Sequence, residues 1–462
     1  MENIITMTDS YKMTHWNQYP EGTTGVYSYF ESRNGAKYNK TVVFGLQYLI
    51  MKHLVGVVVT QDKIEQAAEL CAAHFGTDAY FNRPMWEHIL NEHGGKLPVR
   101  IKAVPEGTAV GVSNVLMTVE NTDPKCYALT NHLETMLTHV WSASTTATLS
   151  YELHKLLDFY REQTSCDDAL LKFRLHDFGF RGVSSVESAA VQGAGHLLNF
   201  MGSDTIAAME LARDYYDAQY EGLAYSVPAT EHSVMTSLGP DGEVVLLGNL
   251  LNRHPTGILS LVIDSYDYRR FILEYALAYK KEIEARDGVT VFRPDSGDPD
   301  TVTLDVLNSL ESVFGSTKND KGYKVLNPKV GVLWGDGIDY MGIRGILYTM
   351  KAQGWAASNI VFGCGGGLLQ KMNRDTQRFA FKCAAQRRGE DEWIDIFKKP
   401  IDVSKASKKG RLSLIKVGDE FQTVPELAPD DPAKDYLETV FEDGELVRKM
   451  TFEECRKNTG SW

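Results

Sequence analysis

The stretch VGVLWGDGIDYMGIRGILYTMKAQGWAASNIVFGCGGG, residues 330–367, predicts a strand, a helix and a second strand. An apolar run at 330–336 leads into a helix near residue 338, and a second apolar run begins near residue 359. Two nearly continuous apolar strands joined by a helix are typical of a parallel sheet that is buried on both faces. This stretch therefore predicts a parallel α/β fold.

The same order of strand, charged turn and helix recurs upstream of this stretch. It is found at FRLHDFG (173–179), LSLVID (259–264) and VTVFRPD (289–295). Five such units favour a barrel over a small open sheet. The sequence therefore predicts a parallel α/β barrel over residues 151–379. A second, mixed α+β flanking domain is predicted from both chain ends, residues 1–150 and 380–462.

Composition restricts the partners of the chain. Of its 462 residues, 48 are Lys or Arg and 61 are Asp or Glu, so the formal charge is −13. An acidic chain is not expected to coat nucleic acid or an anionic membrane, but local basic residues could still hold a phosphorylated ligand. No signal peptide or apolar span is predicted. Six widely spaced cysteines without a CxxC pair argue against a disulfide framework or structural zinc, and they favour a reducing, cytoplasmic location.

Four aspartates stand at the ends of the predicted barrel strands: Asp177, Asp264, Asp295 and Asp336. The carboxyl ends of parallel strands carry the active site in such folds. Each of these residues could instead cap the helix that follows it. If the acids act together, Mg²⁺ with a bound pyrophosphate is the partner that fits them, because Mg²⁺ prefers oxygen ligands.

The basic and glycine-rich segments point to phosphate binding. Residues 363–367 hold four glycines between a strand and a helix, where backbone N–H groups can approach an anion, although a flexible turn is the alternative. The arginines near predicted loops suit bidentate phosphate capture. Arg181, Arg293 and Arg374 are the candidates, and residues 398–411 carry six further basic side chains. His232 is open to a functional or a structural reading.

Ten motifs in order along the chain resemble the nicotinamide phosphoribosyltransferase family of type II phosphoribosyltransferases. They are TDSYK (8–12), VYSYFESR (26–33), HDFGFRGVSS (176–185), SDT (203–205), YSVPATEHS (225–233), DSYD (264–267), RPDSGDP (293–299), GDGID (335–339), GCGGGLLQKMNRD (363–375) and SKKGRLSL (407–414). The resemblance implies transfer of a 5-phosphoribosyl group from phosphoribosyl pyrophosphate to nicotinamide, for NAD salvage. It also implies that the α/β barrel is incomplete and packed with a second layer. It further implies Mg²⁺, ATP as an optional co-substrate, and a homodimer with active sites at the subunit interface. With it, Lys382 and the basic run 398–411 are expected to gather at the same pocket as Arg181, Arg293 and Arg374.

The resemblance also implies roles for individual residues. The catalytic set is His232, Asp264, Asp295 and Arg293. The substrate-binding set is Asp9, Tyr11, Phe178, Arg181, Asp204, Ser260, Gly335, Asp336, Gly365, Gly366, Arg374 and Lys382. Phe178 and the neighbouring subunit's Tyr11 would stack on the pyridine ring, and Asp204 would accept the amide N–H of nicotinamide. His232 would be phosphorylated by ATP with Asp264 as its carboxylate partner, whereas the Mg²⁺ ligands are left open.

Two other functions compete with this interpretation. A nicotinate phosphoribosyltransferase would share the fold but bind a base that carries its own carboxylate. Asp204 argues against it, because two carboxylates repel each other. A non-catalytic signalling protein of the same fold is the second alternative, and the intact acidic and phosphate-binding motifs argue against it.

Overall fold

The structure is a computed structural model that describes residues 2–165, 170–398 and 407–461. Its strands, in chain order, are Thr23–Glu31 (β1), Lys40–Val42 (β2), Val99–Ala103 (β3), Ala109–Gly111 (β4), Val115–Asn121 (β5), Leu175–Asp177 (β6), Gly202–Ser203 (β7), Thr256–Val262 (β8), Asp287–Arg293 (β9), Ser316–Lys318 (β10), Lys324–Leu326 (β11), Val330–Trp334 (β12), Ile360–Cys364 (β13), Ala380–Arg388 (β14), Ile394–Asp395 (β15), Leu412–Val417 (β16), Glu420–Pro425 (β17), Glu438–Glu442 (β18) and Glu445–Leu446 (β19).

The α-helices are Leu46–His53 (α1), Gln61–Phe75 (α2), Arg83–Glu92 (α3), Leu129–His132 (α4), Glu134–Thr138 (α5), Trp141–Thr164 (α6), Val186–His196 (α7), Ile206–Tyr216 (α8), His232–Met235 (α9), Glu243–Arg253 (α10), Tyr268–Arg270 (α11), Lys280–Ala285 (α12), Pro299–Phe314 (α13), Tyr340–Ala352 (α14), Gly366–Leu369 (α15) and Phe452–Thr459 (α16). Short 3₁₀ helices lie at Ser10–Asn17, Pro124–Cys126, Leu171–Phe173, Phe180–Gly182 and Ala357–Asn359, and a π-helix at Phe271–Ala276. Within the described part of the chain, no helix is long and apolar enough to cross a membrane.

The chain forms two compact units. The first comprises Met1–Thr148, Leu211–Ala218 and Met372–Trp462, and the second comprises Leu149–Glu210 and Gln219–Lys371. The domain boundaries near residues 150 and 380 remain a prediction.

The second unit is built around a parallel sheet with the strand order β7-β6-β13-β12-β9-β8. Its edges, β7 and β8, are spanned by the extended segment 225–230. Tyr225 N donates to Met201 O (2.7 Å) at one edge, and Thr230 N donates to Ser260 O (2.9 Å) at the other. The sheet thus curves into a barrel in which the segment 225–230, rather than a full strand, bridges the gap between β7 and β8. The predicted incomplete parallel α/β barrel is confirmed.

Apolar strands and crossover helices explain this barrel. Phe292, Trp334 and Phe362 lie on three adjacent strands and are fully buried, as expected where helices cover a parallel sheet. Helix α13 connects β9 towards β12, and α14 connects β12 to β13. Because each strand runs in the same direction, the loops after all of them open at one end of the barrel.

The first unit contains an antiparallel sheet with the order β15-β14-β1-β5-β3-β18-β19. Its interior strand β1 pairs with β5 from the N-terminal part of the chain and with β14 from the C-terminal part. Together with α1, α2 and α3, this sheet gives the predicted mixed α+β architecture drawn from both chain ends.

Candidate active site

A cavity of about 670 Å³ lies at the carboxyl end of the barrel strands. It is lined by Phe178, Phe180, Arg181, Asp204, Thr205, Glu231, His232, Ser233, Arg293 and Asp295. All these residues belong to the second unit. Six of them were predicted from the sequence, and they lie after β6, after β7, after the extended segment 225–230 and at the end of β9.

The strand-end aspartates do not cap the following helices. In DSYD, DSGD and DGID the capping residue is the second aspartate of each pair: Asp267, Asp298 and Asp339, respectively. For example, the Asp298 carboxylate accepts from Thr301 N at 3.0 Å, at the start of α13. The capping alternative is therefore wrong for Asp264, Asp295 and Asp336, and their carboxylates are available for other contacts.

Asp264 organises the acidic side of the cavity. Its side chain is only 5% exposed, and its Oδ1 lies 3.2 Å from Nε2 of His232. Its Oδ2 accepts from the backbone N of Asp295 (3.0 Å) and from the hydroxyl of Ser296. One carboxylate thus orients the imidazole with one oxygen and holds the loop after β9 with the other. Ser296 was not predicted, although it lies inside the RPDSGDP motif.

Asp295 sits among like charges. Burial raises its pKa, the Arg293 guanidinium opposes this, and the carboxylates of Asp264 and Asp336 raise it further. Nη2 of Arg293 donates to Thr230 O at 2.8 Å, while its buried Nε has no hydrogen-bond partner in the part of the chain that the structure describes. The site therefore combines three neighbouring carboxylates with one guanidinium, which is anchored through Nη2 and carries a buried Nε–H without a partner among the described residues.

Phe178 lies against two of the predicted glycine loops. A Cβ placed on Gly363 would lie 2.0 Å from Cε2 of the Phe178 ring, and one on Gly335 would lie 3.5 Å from the same atom. The backbone N of Phe178 donates to Cys364 O at 3.0 Å. The absence of a side chain at Gly363 is thus what allows the ring to lie on β13, at the edge of the cavity. Gly365 and Gly366 follow directly, at the start of the short helix α15.

Asp204 is exposed at the end of β7. Its backbone N donates to Asp177 O at 2.9 Å, and its Oδ1 accepts a hydrogen bond from the Ser226 hydroxyl. Arg181 is exposed in the 3₁₀ helix Phe180–Gly182. The carboxylate of Asp204 is therefore held in place at the mouth of the cavity by a partner that carries no charge.

A second cavity, of about 330 Å³, continues into the barrel interior. Phe178, Asp204 and Arg293 line both cavities. Its other walls are largely apolar: Leu170, Phe173, Tyr225, Val227, Ala229, Ile258, Val291, Leu333 and Val361, with Arg174, His176, Ser226 and the predicted Ser260. The apolar strand pattern predicted a buried interior, but no sequence signal shows which positions leave space there. Ser260 is buried and its hydroxyl has no hydrogen-bond partner among the described residues.

Four of the predicted site residues belong to the first unit: Asp9, Tyr11, Arg374 and Lys382. Tyr11 is 56% exposed, and Asp9 Oδ2 accepts from Thr135 at 2.8 Å. Burial lowers the pKa of Lys382, whose Nζ donates to Phe381 O at 2.8 Å. None of the four lines either barrel cavity in the described chain, and the resemblance places them in the site of a neighbouring subunit.

The basic run 398–411 is described only in part, because residues 399–406 lie outside the described residues. The other basic side chains that form ion pairs do so with carboxylates of the first unit: Lys408 with Glu31, Lys409 with Asp395, and Arg411 with Glu120 and Glu426. The expectation that this run gathers at the phosphate pocket stays a prediction.

Comparison with known proteins identifies the family. The nicotinate phosphoribosyltransferase (NAPRTase) family matches residues 173–445, and the N-terminal domain of nicotinamide phosphoribosyltransferase matches residues 3–101. The nicotinamide phosphoribosyltransferase of Xanthomonas campestris pv. campestris (strain 8004) is 45% identical over 466 residues, which cover 99% of this chain and 98% of that protein. The chain belongs to the nicotinate phosphoribosyltransferase family. The nicotinamide phosphoribosyltransferase of Acinetobacter baylyi is 35% identical over 98% of this chain and 96% of its own length.

Solved structures share the fold of this family member. Nicotinate-nucleotide pyrophosphorylase from Pyrococcus furiosus superimposes with a TM-score of 0.59 at 16% identity, covering 99% of this chain and 96% of that one. Human nicotinic acid phosphoribosyltransferase gives 0.57 at 16% identity, covering 98% and 92%. The family resemblance indicated by the motifs is confirmed, and with it the prediction that the chain is an enzyme, a phosphoribosyltransferase.

Proposed function

We propose that this phosphoribosyltransferase transfers the 5-phosphoribosyl group of phosphoribosyl pyrophosphate to nicotinamide, giving nicotinamide mononucleotide and pyrophosphate in NAD salvage. The observation that carries the proposal is one cavity in which an aromatic ring, an exposed carboxylate and a carboxylate–guanidinium cluster converge. Relatives over nearly the whole chain length are named for this activity.

The base would bind between Phe178 and Asp204. Phe178 offers a ring that the backbone at Gly363 holds in place, and stacking on a pyridine ring suits it. The carboxylate of Asp204 would accept the amide N–H of nicotinamide and repel the carboxylate of nicotinate. A homodimer would complete the site, with Tyr11 of the partner subunit on the other face of the ring and Asp9 of the partner subunit lining the pocket.

The sugar and its phosphates would lie towards the strand-end acids. Asp295 would bind the ribose hydroxyls, and Arg293 and Arg181 would hold phosphate oxygens. The loops at Gly335, Gly365 and Gly366 would receive the 5-phosphate. Arg374 and Lys382 of the partner subunit are proposed to reach the same phosphate. Lys382 fits such a role when an anion arrives, because the burial that lowers its pKa makes a negative partner favourable.

The acidic cluster fits Mg²⁺. Asp295 and Asp336 would be its ligands, since the raised pKa of Asp295 reflects burial next to like charges that a dication would relieve. When bound, Mg²⁺ would neutralise charge on the pyrophosphate leaving group.

The chain's own residues would then supply positioning and electrostatics. As the C1–O bond to pyrophosphate breaks, its electron pair leaves with the pyrophosphate and positive charge develops on the ribose. Arg293 and Arg181 would stabilise the leaving group. The pyridine nitrogen forms the new C1–N bond with its own lone pair, so no general base is needed. Phe178 would hold that nitrogen in line with C1.

We also propose that His232 accepts the γ-phosphoryl group of ATP. Because Nε2 is engaged by Asp264, Nδ1 is the nitrogen available to attack the γ-phosphorus, and ADP leaves with the electrons of the broken P–O bond. Asp264 would stabilise the resulting phosphoimidazolium through Nε2–H. The added negative charge would favour binding of the Mg²⁺–pyrophosphate group next to it.

The test is a product assay. Purified protein with phosphoribosyl pyrophosphate, Mg²⁺ and isotopically labelled nicotinamide should form labelled nicotinamide mononucleotide by mass spectrometry, with nicotinate as the parallel substrate. Absence of product with both bases would contradict the proposal. Faster turnover of nicotinate would support the alternative nicotinate phosphoribosyltransferase instead.

A further inference from the structure

A cluster of metal-binding residue types lies in the first unit, outside the cavities described above. It comprises His88 in α3, His93 just beyond the end of that helix, and Asp123 and Cys126 at the two ends of the segment DPKC. The cysteine spacing argued against structural zinc because no CxxC pair occurs. The structure instead combines one thiol with two imidazoles and a carboxylate.

The donor atoms of His88, Asp123 and Cys126 lie close together, and His93 adjoins this group through Asp123. Nε2 of His88 and Nε2 of His93 each lie 2.8 Å from the same oxygen, Oδ2 of Asp123. Potential ligand atoms of His88, Asp123 and Cys126 all lie within 4.8 Å of one another. Ligand atoms of a tetrahedral zinc ion lie about 3.3–3.8 Å apart, because each is about 2.0–2.3 Å from the metal. The two imidazole–carboxylate pairs would therefore open by about half an ångström or more when an ion enters.

Backbone hydrogen bonds hold the four residues in place. Oδ1 of Asp123 accepts from Lys125 N at 2.7 Å, which leaves Oδ2 directed at the histidines. Asp123 O accepts from Cys126 N at 2.9 Å, and His93 N donates to Ile89 O at 3.2 Å. The donors are therefore carried by a helix end and a short turn, and only small movements are needed to surround an ion.

The cluster is open on one side. The side chains of His88 and His93 are 15% and 27% exposed, and that of Asp123 is 19% exposed, whereas Cys126 is fully buried. An ion could therefore enter from solvent past the imidazoles, with the thiol at the floor of the site.

We propose that His88, His93, Asp123 and Cys126 bind one Zn²⁺ ion. On binding, each imidazole would present its Nε2 lone pair to the metal with its proton on Nδ1, and the thiol proton would pass to solvent. The thiolate and the carboxylate together balance the charge of Zn²⁺, and nitrogen, sulfur and oxygen donors of this kind are those zinc prefers. The ion would join the end of α3 to the loop after β5. This inference does not depend on the proposed transferase activity.

The experiment uses tag-free, full-length protein stripped of metal with a chelator. Titration with Co²⁺ in the presence of excess Mg²⁺, which occupies the acidic cluster of the active site, should give one bound Co²⁺ per chain. That ion should show the intense visible bands of tetrahedral cobalt and a thiolate-to-cobalt charge-transfer band. One equivalent of Zn²⁺ should abolish both sets of bands. Zn²⁺ should also raise the melting temperature of the protein, since a ligand that binds the folded state stabilises it.

Matched variants assign the ligands. Cys126→Ser and the double variant H88Q/H93Q should each weaken Zn²⁺ binding, measured by chelator competition, on the order of a hundredfold or more, since even groups that only support a ligand commonly cost ten- to a hundredfold. Cys71→Ser, at another buried cysteine of the same unit, should leave binding unchanged.

Three results would overturn the site: wild-type protein that binds Zn²⁺ no more tightly than H88Q/H93Q, cobalt spectra without the charge-transfer band, or equal losses in Cys71→Ser. The histidine variant decides the matter if Cys126→Ser fails to fold, because both imidazoles are partly exposed and their replacement leaves the buried core intact.

Discussion

Replacing Gly363 by alanine should damage catalysis through the position of a single ring. The new Cβ would lie 2.0 Å from Cε2 and 2.3 Å from Cδ2 of Phe178, whereas ordinary carbon contacts begin near 3.4 Å. The ring must therefore move by about 3.4 − 2.0 = 1.4 Å. Because a misplacement of about 1 Å can cost about a hundredfold in rate, we expect kcat/KM for nicotinamide to fall by about a hundredfold, or about 2.7 kcal/mol of transition-state stabilisation.

A matched control lies in the neighbouring strand. Gly331 of β12 has room for a methyl group, because an alanine Cβ there would lie 3.8 Å from Val291 Cγ2 and 3.9 Å from Val289 Cγ1. Gly331→Ala should therefore keep wild-type kcat/KM. Neither glycine has a positive φ, so neither alanine strains the backbone.

A double-mutant cycle tests the physical cause. If Gly363→Ala acts by displacing the Phe178 ring, it should cost little in a Phe178→Ala background, where no ring remains to displace. Steady-state assays of the four proteins, with thermal melts to check folding, supply the measurement. Activity within about threefold of wild type for Gly363→Ala, or the same hundredfold loss in both backgrounds, would refute the reasoning.

Three further predictions concern charge. Asp204→Asn should raise kcat/KM for nicotinate relative to nicotinamide by at least about tenfold, since one like-charge repulsion of about 1.4 kcal/mol is removed; Ser226→Ala, which keeps the carboxylate, should not. His232→Asn should abolish the stimulation by ATP while leaving the ATP-independent rate within about twofold, because the imidazole is not placed on the base or C1. Burial raises the pKa of Asp177 to about 6, although the N–H of Gly179 opposes this. Because the pKa of Asp177 is higher in the folded than in the unfolded protein, its protonated carboxyl stabilises the folded state below about pH 4. This contribution to the free energy of unfolding is lost as the pH rises through about 6.

The measurements for these predictions are independent. Competition between the two bases checks Asp204, and a variant that still excludes nicotinate would contradict its role. A phosphorylated, ATP-stimulated His232→Asn protein would contradict the phosphohistidine. For Asp177, urea unfolding between about pH 4 and pH 7 should show wild-type stability falling relative to Asp177→Asn, whose amide does not titrate; parallel curves would contradict the assignment.

Local sequence patterns were sufficient to predict the barrel and the end of it that carries the active site. Apolar runs of five to seven residues, each followed by an acid, predicted parallel strands and placed Asp264, Asp295 and Asp336 at the site, because strand direction alone brings their ends to one edge. The same patterns did not show which aspartate of each pair caps a helix. That choice depends on where the loop turns into the helix, and the structure places it at Asp267, Asp298 and Asp339.

Charges and donor clusters formed by distant parts of the chain could not be predicted. The sequence suggested Lys408 and Arg411 as phosphate ligands. In the structure they form ion pairs with Glu31 and Glu120, which lie 377 and 291 positions away along the chain. The apolar chamber behind Phe178 likewise depends on how strand side chains fill the barrel interior.

The amino-acid sequence alone therefore determines the fold class, the family and the end of the barrel at which the active site lies. Strand and helix periodicity and short motifs are local properties of the chain. Which side chains meet is a property of packing. The Phe178 ring rests on Gly363, and Asp264 joins His232 to the loop of Asp295, only because the folded backbone brings these segments together. The same is true of His88 in α3 and His93 just beyond it, which both contact Asp123. Contacts between residues far apart in sequence depend on the whole tertiary structure, which no local sequence pattern encodes.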